Sequence, residues 1–385
     1  MKILQPAFFL LLIASGFLFP SCDNRRPPEP ELSKAEYTAF CKELEKQLNS
    51  GNAEAFANAI DLETMTDHVI DGKDGGSFSR TEISKAITAA MSQFTVEVGN
   101  AIRSSGKYRF LHLVYRDKTV RALFRLHSSK GINYHELLFV VHDHKPQISD
   151  VYVYLTGENL SETLRNLLAA SGNLGTTDRE FQREAENLDE MRKAIQLGDV
   201  EKAYRLYNSL SAKMRQTKAV QMYNILISEK MSEAMYSDAI DQYEKMFPND
   251  PSLLLVSLDG YALNKEYKKL FTCINKLDAT VNDPYLDFFR ANALFEMDSI
   301  DAALKTLKKV CVNAPDDNPD IYISVALIDV RFKKDPQDAC KYLGLMKEHF
   351  QTPIGAIRQK FFELLPPQDY HDLVACPAFK KLEGS

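Results

Sequence analysis

Gly198-Asp199-Val200-Glu201-Lys202-Ala203-Tyr204-Arg205-Leu206-Tyr207-Asn208-Ser209-Leu210 is the stretch on which the reading of this 385-residue chain turns. The Gly-Asp pair ends one helix and opens the next, and the small Ala203 is followed four and seven positions on by Tyr207 and Leu210, all on one helical face. The same frame recurs. Ala239 is followed by Tyr243, Met246 and Pro251; Leu270 by Ile274 and Leu277, with Tyr267 before it; Ala303 by Leu307, Val310 and Pro315; Ala339 by Leu343 and Met346. These anchors stand 36, 31, 33 and 36 residues apart. A helical unit repeated on such a period cannot bury its apolar face alone, so neighbours must stack into one continuous core.

This frame resembles the tetratricopeptide repeat, whose period is about 34 residues and whose small residue lets paired helices approach closely. It covers residues 184–365, and 366–385 follow as an apolar C-terminal cap carrying Tyr370, Leu373, Phe379 and Leu382. The chain departs from the family where Leu270 replaces the small residue, where tryptophan is missing throughout, and where Ile227, Leu258, Ala291 and Leu327 stand for the first-helix glycine. What the resemblance implies is an all-α solenoid with a groove lined by first helices. With Pro284 starting one repeat, its groove positions fall on Tyr285, Phe288, Asn292 and Phe295, with Asn224 and Met231 two repeats earlier and Arg331 one later. Aromatic rings offer buried area and amides can bond a backbone, which suits a protein or peptide partner. Aromatics at helical spacing are equally the mark of a core, and a shift of one residue turns Phe288 and Phe295 inward. A full basic clamp for a C-terminal carboxylate is missing from these positions, so that ligand is not expected.

Residues 33–171 read differently. Ser33 with Glu36 and Ser79 with Glu82 are capping boxes, predicting helices from each serine and a shorter one over 53–62. Beyond Gly106 the period becomes two, with strands expected over 108–115, 119–127, 132–142 and 147–155 and polar turns between them. Consecutive tight turns mean an antiparallel meander. The expected register sets Leu111 against Phe124, Leu113 and Leu137 against Ala122, and His135 beside Phe124. One face is then apolar, carrying Leu111, Leu113, Ala122, Phe124, Leu126, Leu137, Phe139 and Val141, and the helices must lie on it. Helices followed by a four-stranded antiparallel sheet resemble the cystatin-like or NTF2-like α+β architecture. That likeness implies a possible pocket, for which Tyr134 and His135 are the candidates, His135 being equally a satisfied core residue. His142-Asp143-His144 reads as a solvated hairpin tip ahead of a metal site. Residues 157–170 close the domain as a helix, and 172–183 form a linker that predicts independent folding on either side.

At the N-terminus, Lys2 precedes 13 uncharged residues, 7–19, too few to span the roughly 30 Å of bilayer hydrocarbon but sufficient for a signal peptide over 1–21. Leu18-Phe19-Pro20-Ser21-Cys22 resembles a bacterial lipobox, Ser21 and Cys22 fitting while Phe19 and Pro20 depart from the usual residues. The resemblance implies lipidation of Cys22 and a membrane anchor in the cell envelope, periplasmic or outer. A plain secretory signal is the alternative. Residues 22–32 are charged and proline-rich and read as a tether.

With 47 Lys plus Arg against 53 Asp plus Glu, the net charge of −6 favours no nucleic acid as a partner. The five cysteines beyond Cys22 show neither CxxC nor Cys/His spacing, so core thiols are expected ahead of a bridge or a zinc site. No phosphate-binding loop, nucleophile elbow, HExxH or dinucleotide motif is present. The expectation is a non-enzymatic adaptor without cofactor or metal, binding a protein or peptide; a ligand-binding or enzymatic NTF2-like domain positioned by the array is the alternative.

Overall fold

The computed structural model describes residues 32–384 apart from 53, 71–78, 105, 117–118, 129–130, 173–177, 249 and 251. The signal peptide, Cys22 and nearly all of the tether therefore lie outside the described residues, as do the expected turn at 117–118 and the middle of the linker. Among the described residues no helix is long and apolar enough to cross a membrane.

Four helices precede the sheet: α1 (Lys34–Asn49), α2 (Glu54–Asn58), α3 (Leu62–Ile70) and α4 (Arg80–Arg103). Both capping boxes form, each serine accepting from the glutamate's backbone N–H while the glutamate accepts from the serine's. The single helix expected over 53–62 stops early. Residues 59–61 leave the helix to pair with the sheet, the Asp61 amide donating to the Ile148 carbonyl at 2.8 Å, and the Asp61 carboxylate then accepts from the Thr64 amide at the start of α3.

The sheet holds five antiparallel strands in sequential order: β1 (Lys107–Arg116), β2 (Thr119–Ser128), β3 (Gly131–His142), β4 (Lys145–Val153) and β5 (Glu158–Asn159). The fifth, against an expected four, is a two-residue pairing with Tyr152 and Val153, too short to show a period. The β3–β4 turn is made by Asp143 and His144, both at positive φ, the twist that a two-residue hairpin requires. Ala122 lies opposite Leu113 and Leu137, and Phe124 opposite His135, as the register predicts. Leu111 is the exception. A bulge after Phe110 pairs Phe110 with Phe124 and moves Leu111 to the other face. Tyr108, Phe124, Leu137, Ile148 and Val151 pack on Tyr37, Cys41 and Leu44 of α1 and on Ile87 and Met91 of α4.

The second face of the sheet is also covered. After α5 (Leu160–Gly172) the chain is helical: α6 (Asp178–Leu197), α7 (Val200–Ser209), α8 (Ala212–Arg215), α9 (Lys218–Met231), α10 (Glu233–Met246), α11 (Ser252–Leu263) and α12 (Tyr267–Val281). Then follow α13 (Leu286–Glu296), α14 (Ile300–Asn313), α15 (Pro319–Ile328), a π-helical turn (Asp329–Lys333), α16 (Pro336–Phe350), α17 (Ile354–Leu364), α18 (Pro367–Ala375) and α19 (Pro377–Glu383). Helices pair as α6 with α7, α9 with α10, α11 with α12, α13 with α14 and α15 with α16. Ala203, Ala239, Leu270, Ala303 and Ala339 each lie in the second helix of a pair and are at most 3% exposed. Helix α6 starts at Asp178, ahead of the boundary at 184. Leu373 and Phe379 of the last two helices are buried, and α19 packs on α16.

Leu123 and Tyr134 alternate with the core residues along their strands and, with Tyr154 just past β4, pack on Leu255, Leu258, Leu270, Ile274 and Leu277 of the helical region. A charged cluster closes this seam. Arg125, 1% exposed, donates to both Asp283 oxygens at 2.6 and 2.8 Å, pairs with Asp317 at 2.6 Å and lies 4.3 Å over the Tyr285 ring. Tyr134 Oη donates to Asp283 at 2.8 Å, and Arg109 grips Asp316 through two bonds of 2.7 and 2.6 Å. Gly157 belongs to the same seam. Its φ is +65°, and a Cβ there would meet Asp250 Oδ1 at 2.5 Å, so both the turn and the close approach require glycine. A sheet buried on both faces with ionic groups sealed between argues against autonomous halves.

Candidate functional site

Tyr134 and His135, read together as pocket candidates, are adjacent in β3 and therefore point to opposite faces. Tyr134 is spent on Asp283. His135 lies in the core, 2% exposed, with its ring 4.8 Å from that of Phe94. Asn133 Oδ1 accepts from the Tyr134 and Leu155 amides, so its Nδ2 faces His135 Nε2 at 3.2 Å. Nε2 must then accept, which places the imidazole proton on Nδ1, donated to Tyr108 Oη at 3.1 Å. No carboxylate is among these partners. Burial pushes the His135 pKa down to about 3, leaving a neutral imidazole that is a feeble base at neutral pH.

A pH dependence follows. His135 binds no proton in the native state above about pH 3, whereas in the unfolded chain it titrates near 6.5, so the stability present above pH 6.5 is lost as pH falls. Between pH 7 and pH 5 this residue alone is expected to cost about 2 kcal/mol. Urea unfolding at both pH values should show His135→Gln less acid-sensitive than the wild type by that amount; identical slopes would mean that the imidazole is hydrated.

Two other histidines of the sheet domain meet carboxylates. His142 of the hairpin pairs with Asp61 near the start of α3, and His68 lies 3.5 Å from the buried Asp150. Ser161 Oγ also donates to Asp150. The carboxylate sits between imidazole and hydroxyl, so the serine hydroxyl donates to Asp150 and not to His68. Among the described residues no group of three His, Cys, Asp or Glu side chains could hold a metal ion.

The expected groove positions divide. Asn224 and Tyr285 are buried, Tyr285 beneath Arg125 with its hydroxyl accepting from Asn318 at 3.0 Å. Tyr285 belongs to the seam with the sheet because it directly precedes α13. Phe288 is half-buried against Tyr285, their centroids 5.7 Å apart, and Met231 is exposed at the end of α9. Asn292, Phe295 and Arg331 come together on a cleft of about 280 Å³ whose walls include Leu327, Phe332 and Leu364. Asn292 and Phe295 lie one turn apart on α13. Phe295 meets Phe332 edge to face at 5.6 Å, and the Arg331 guanidinium lies 5.4 Å over the Phe332 ring.

Phe332 and Leu364 are absent from the sequence reading. Phe332 reaches the cleft because the π turn inserts an extra residue after α15, ending at Lys334 in the left-handed conformation. Asp329 opens that turn, buried and ion-paired to Lys308 at 3.2 Å; burial holds its carboxyl above the usual range against the pull of Lys308. The run Lys334-Asp335-Pro336 signals a helix stop and restart, but not the wider turn before it.

Comparison of the chain with protein-family models, with curated proteins and with solved structures found no match.

Proposed function

We propose that this chain is an exported, lipid-anchored adaptor of the bacterial cell envelope, an α+β module joined to a tetratricopeptide-like array, which holds a protein or peptide at the cleft of α13, α15 and α17. The observation that carries this reading is the cleft itself. Phe332 and Leu364 are each 43% exposed beside Asn292 and Arg331, which stand at the surface, so an apolar anchor with an acidic or carbonyl group next to it is the complementary ligand. Five helix pairs with their anchors buried in the second helices support the repeat reading. The NTF2-like ligand or enzyme reading has less support, because His135 is neutral, enclosed and without a carboxylate.

The test uses the full chain expressed with its leader, as bait in native envelope extract. Asn292→Ala with Arg331→Ala should weaken capture of the partner by about tenfold or more, with the melting curve unchanged because both side chains are at the surface. Tyr285 is left intact, since its removal would open the seam. Cys22→Ala should move the chain from the membrane to the soluble fraction. Capture undiminished by the double variant rejects the cleft, and unchanged fractionation rejects the anchor.

A further inference from the structure

A second hollow, of about 490 Å³, opens at the other end of the array, where α7, α8, α9 and α10 meet. Its walls include Tyr207, Arg215, Gln216, Gln221, Gln242 and Met246, and none of its lining residues is acidic. Gln221 on α9 is 1% exposed. Its amide nitrogen donates to the Arg215 carbonyl and to Tyr207 Oη, the latter at 3.3 Å. A carbonyl can only accept, so this orientation of the amide is fixed, and Gln221 Oε1 is left as a buried acceptor with no partner. Arg215 Nε is a buried donor in the same condition. The Arg215 guanidinium carbon lies 6.0 Å from the centre of the Tyr207 ring, while no salt bridge joins this cation to a carboxylate among the described residues.

Unpaired buried polar atoms are costly, and native folds leave them chiefly where something else completes them. Here the missing partners are an N–H or O–H donor for Gln221 Oε1 and an acceptor, preferably anionic, for Arg215. Both side chains line the hollow, so a partner seated there reaches either atom once the side chain turns toward it. The further side chains are amides and a thioether, suited to a peptide-like body. We propose that this hollow binds a carboxylate carried beside an amide N–H, the group that an acidic residue presents within a peptide and that a free N-acylated acidic amino acid presents alone. The carboxylate accepts from the Arg215 guanidinium, and the amide N–H donates to Gln221 Oε1. This site is separate from the cleft at Arg331 and stands whether or not that cleft binds a partner.

The full mature chain, labelled with 13C at its methionine methyls, reports directly, because Met246 lines the hollow and its signal is assigned by Met246→Leu. Three probes are titrated: acetyl-Gly-Glu-Gly-amide, acetyl-Gly-Gln-Gly-amide and N-acetylglutamate. The Met246 signal should shift with the glutamate peptide, with N-acetylglutamate or with both, and the tighter of the two names the source. The glutamine peptide should bind about tenfold more weakly, the loss expected when a charge-assisted bond is replaced by a neutral one. Arg215→Gln should erase the preference for glutamate and Arg215→Lys should retain part of it. An unmoved Met246 signal at millimolar probe, or equal binding of the two peptides by the wild type, overturns the proposal without recourse to any variant.

Discussion

Arg125→Met is expected to lower the unfolding free energy of the whole chain by about 3–5 kcal/mol, the usual cost of removing one partner from a buried ion pair. The size comes from what is left behind. Asp283, its side chain 1% exposed, loses the cation that faces it; Asp317, 4% exposed, keeps only Arg109 at 3.3 Å; and Tyr285 loses the guanidinium stacked over its ring. Burial alone would lower the Arg125 pKa, but the pull of Asp283 and Asp317 outweighs it and carries the pKa above its ordinary value, so the guanidinium stays charged at every working pH. Domains are stable by only about 5–15 kcal/mol, so this one substitution removes a large part of the total. Urea unfolding followed by circular dichroism measures it. Adding Asp283→Asn and Asp317→Asn to Arg125→Met should recover much of the loss, because neutral amides no longer demand a buried cation. A loss below about 1 kcal/mol for Arg125→Met would mean that the seam is open to water and that the pair behaves like a surface one.

Separating the chain at the linker should be more damaging still. Segment 33–171 alone exposes Leu123, Tyr134 and Tyr154, and segment 178–385 alone exposes Leu255, Leu258 and Leu277, all of which are buried together in the intact chain. The expected result for 33–171 is a species that binds a hydrophobic dye and lacks a cooperative melt, or aggregates, because an apolar sheet face without cover is an association surface. Mixed at equal concentration, the two segments should form a 1:1 complex by gel filtration, with dye binding suppressed. Two monomeric segments that melt cooperatively and ignore one another would restore the independence that the linker suggests.

Local order was legible to the degree that it is written in local periods. Ser33 and Ser79 with glutamate three residues on mark helix starts because the box needs only neighbours in sequence. The change of period at Gly106 locates four strands to within about two residues at most of their ends, and tight turns give their order. The candidate site was half legible. Asn292, Phe295 and Arg331 line one cleft, whereas Tyr285 and Asn224 from the same register are buried, Tyr285 in the seam. A signal for the seam was present in the strands: Leu123, Tyr134, Tyr152 and Tyr154 stand at positions that a solvated sheet face would give to polar residues.

By itself the sequence determined the two capped helices, the four long strands and their meander, the five helix-pair anchors and the face of the sheet that meets α1 and α4, since each follows from spacing within a few residues. Tertiary structure alone decided that the other face is covered by the helical region, that Leu111 turns over at a bulge, that Tyr285 serves Arg125, and that a π turn delivers Phe332 to the cleft. The reason is range. Arg125 and Asp283 are 158 positions apart, and no period within either segment encodes which outward side chain of one will meet which inward side chain of the other.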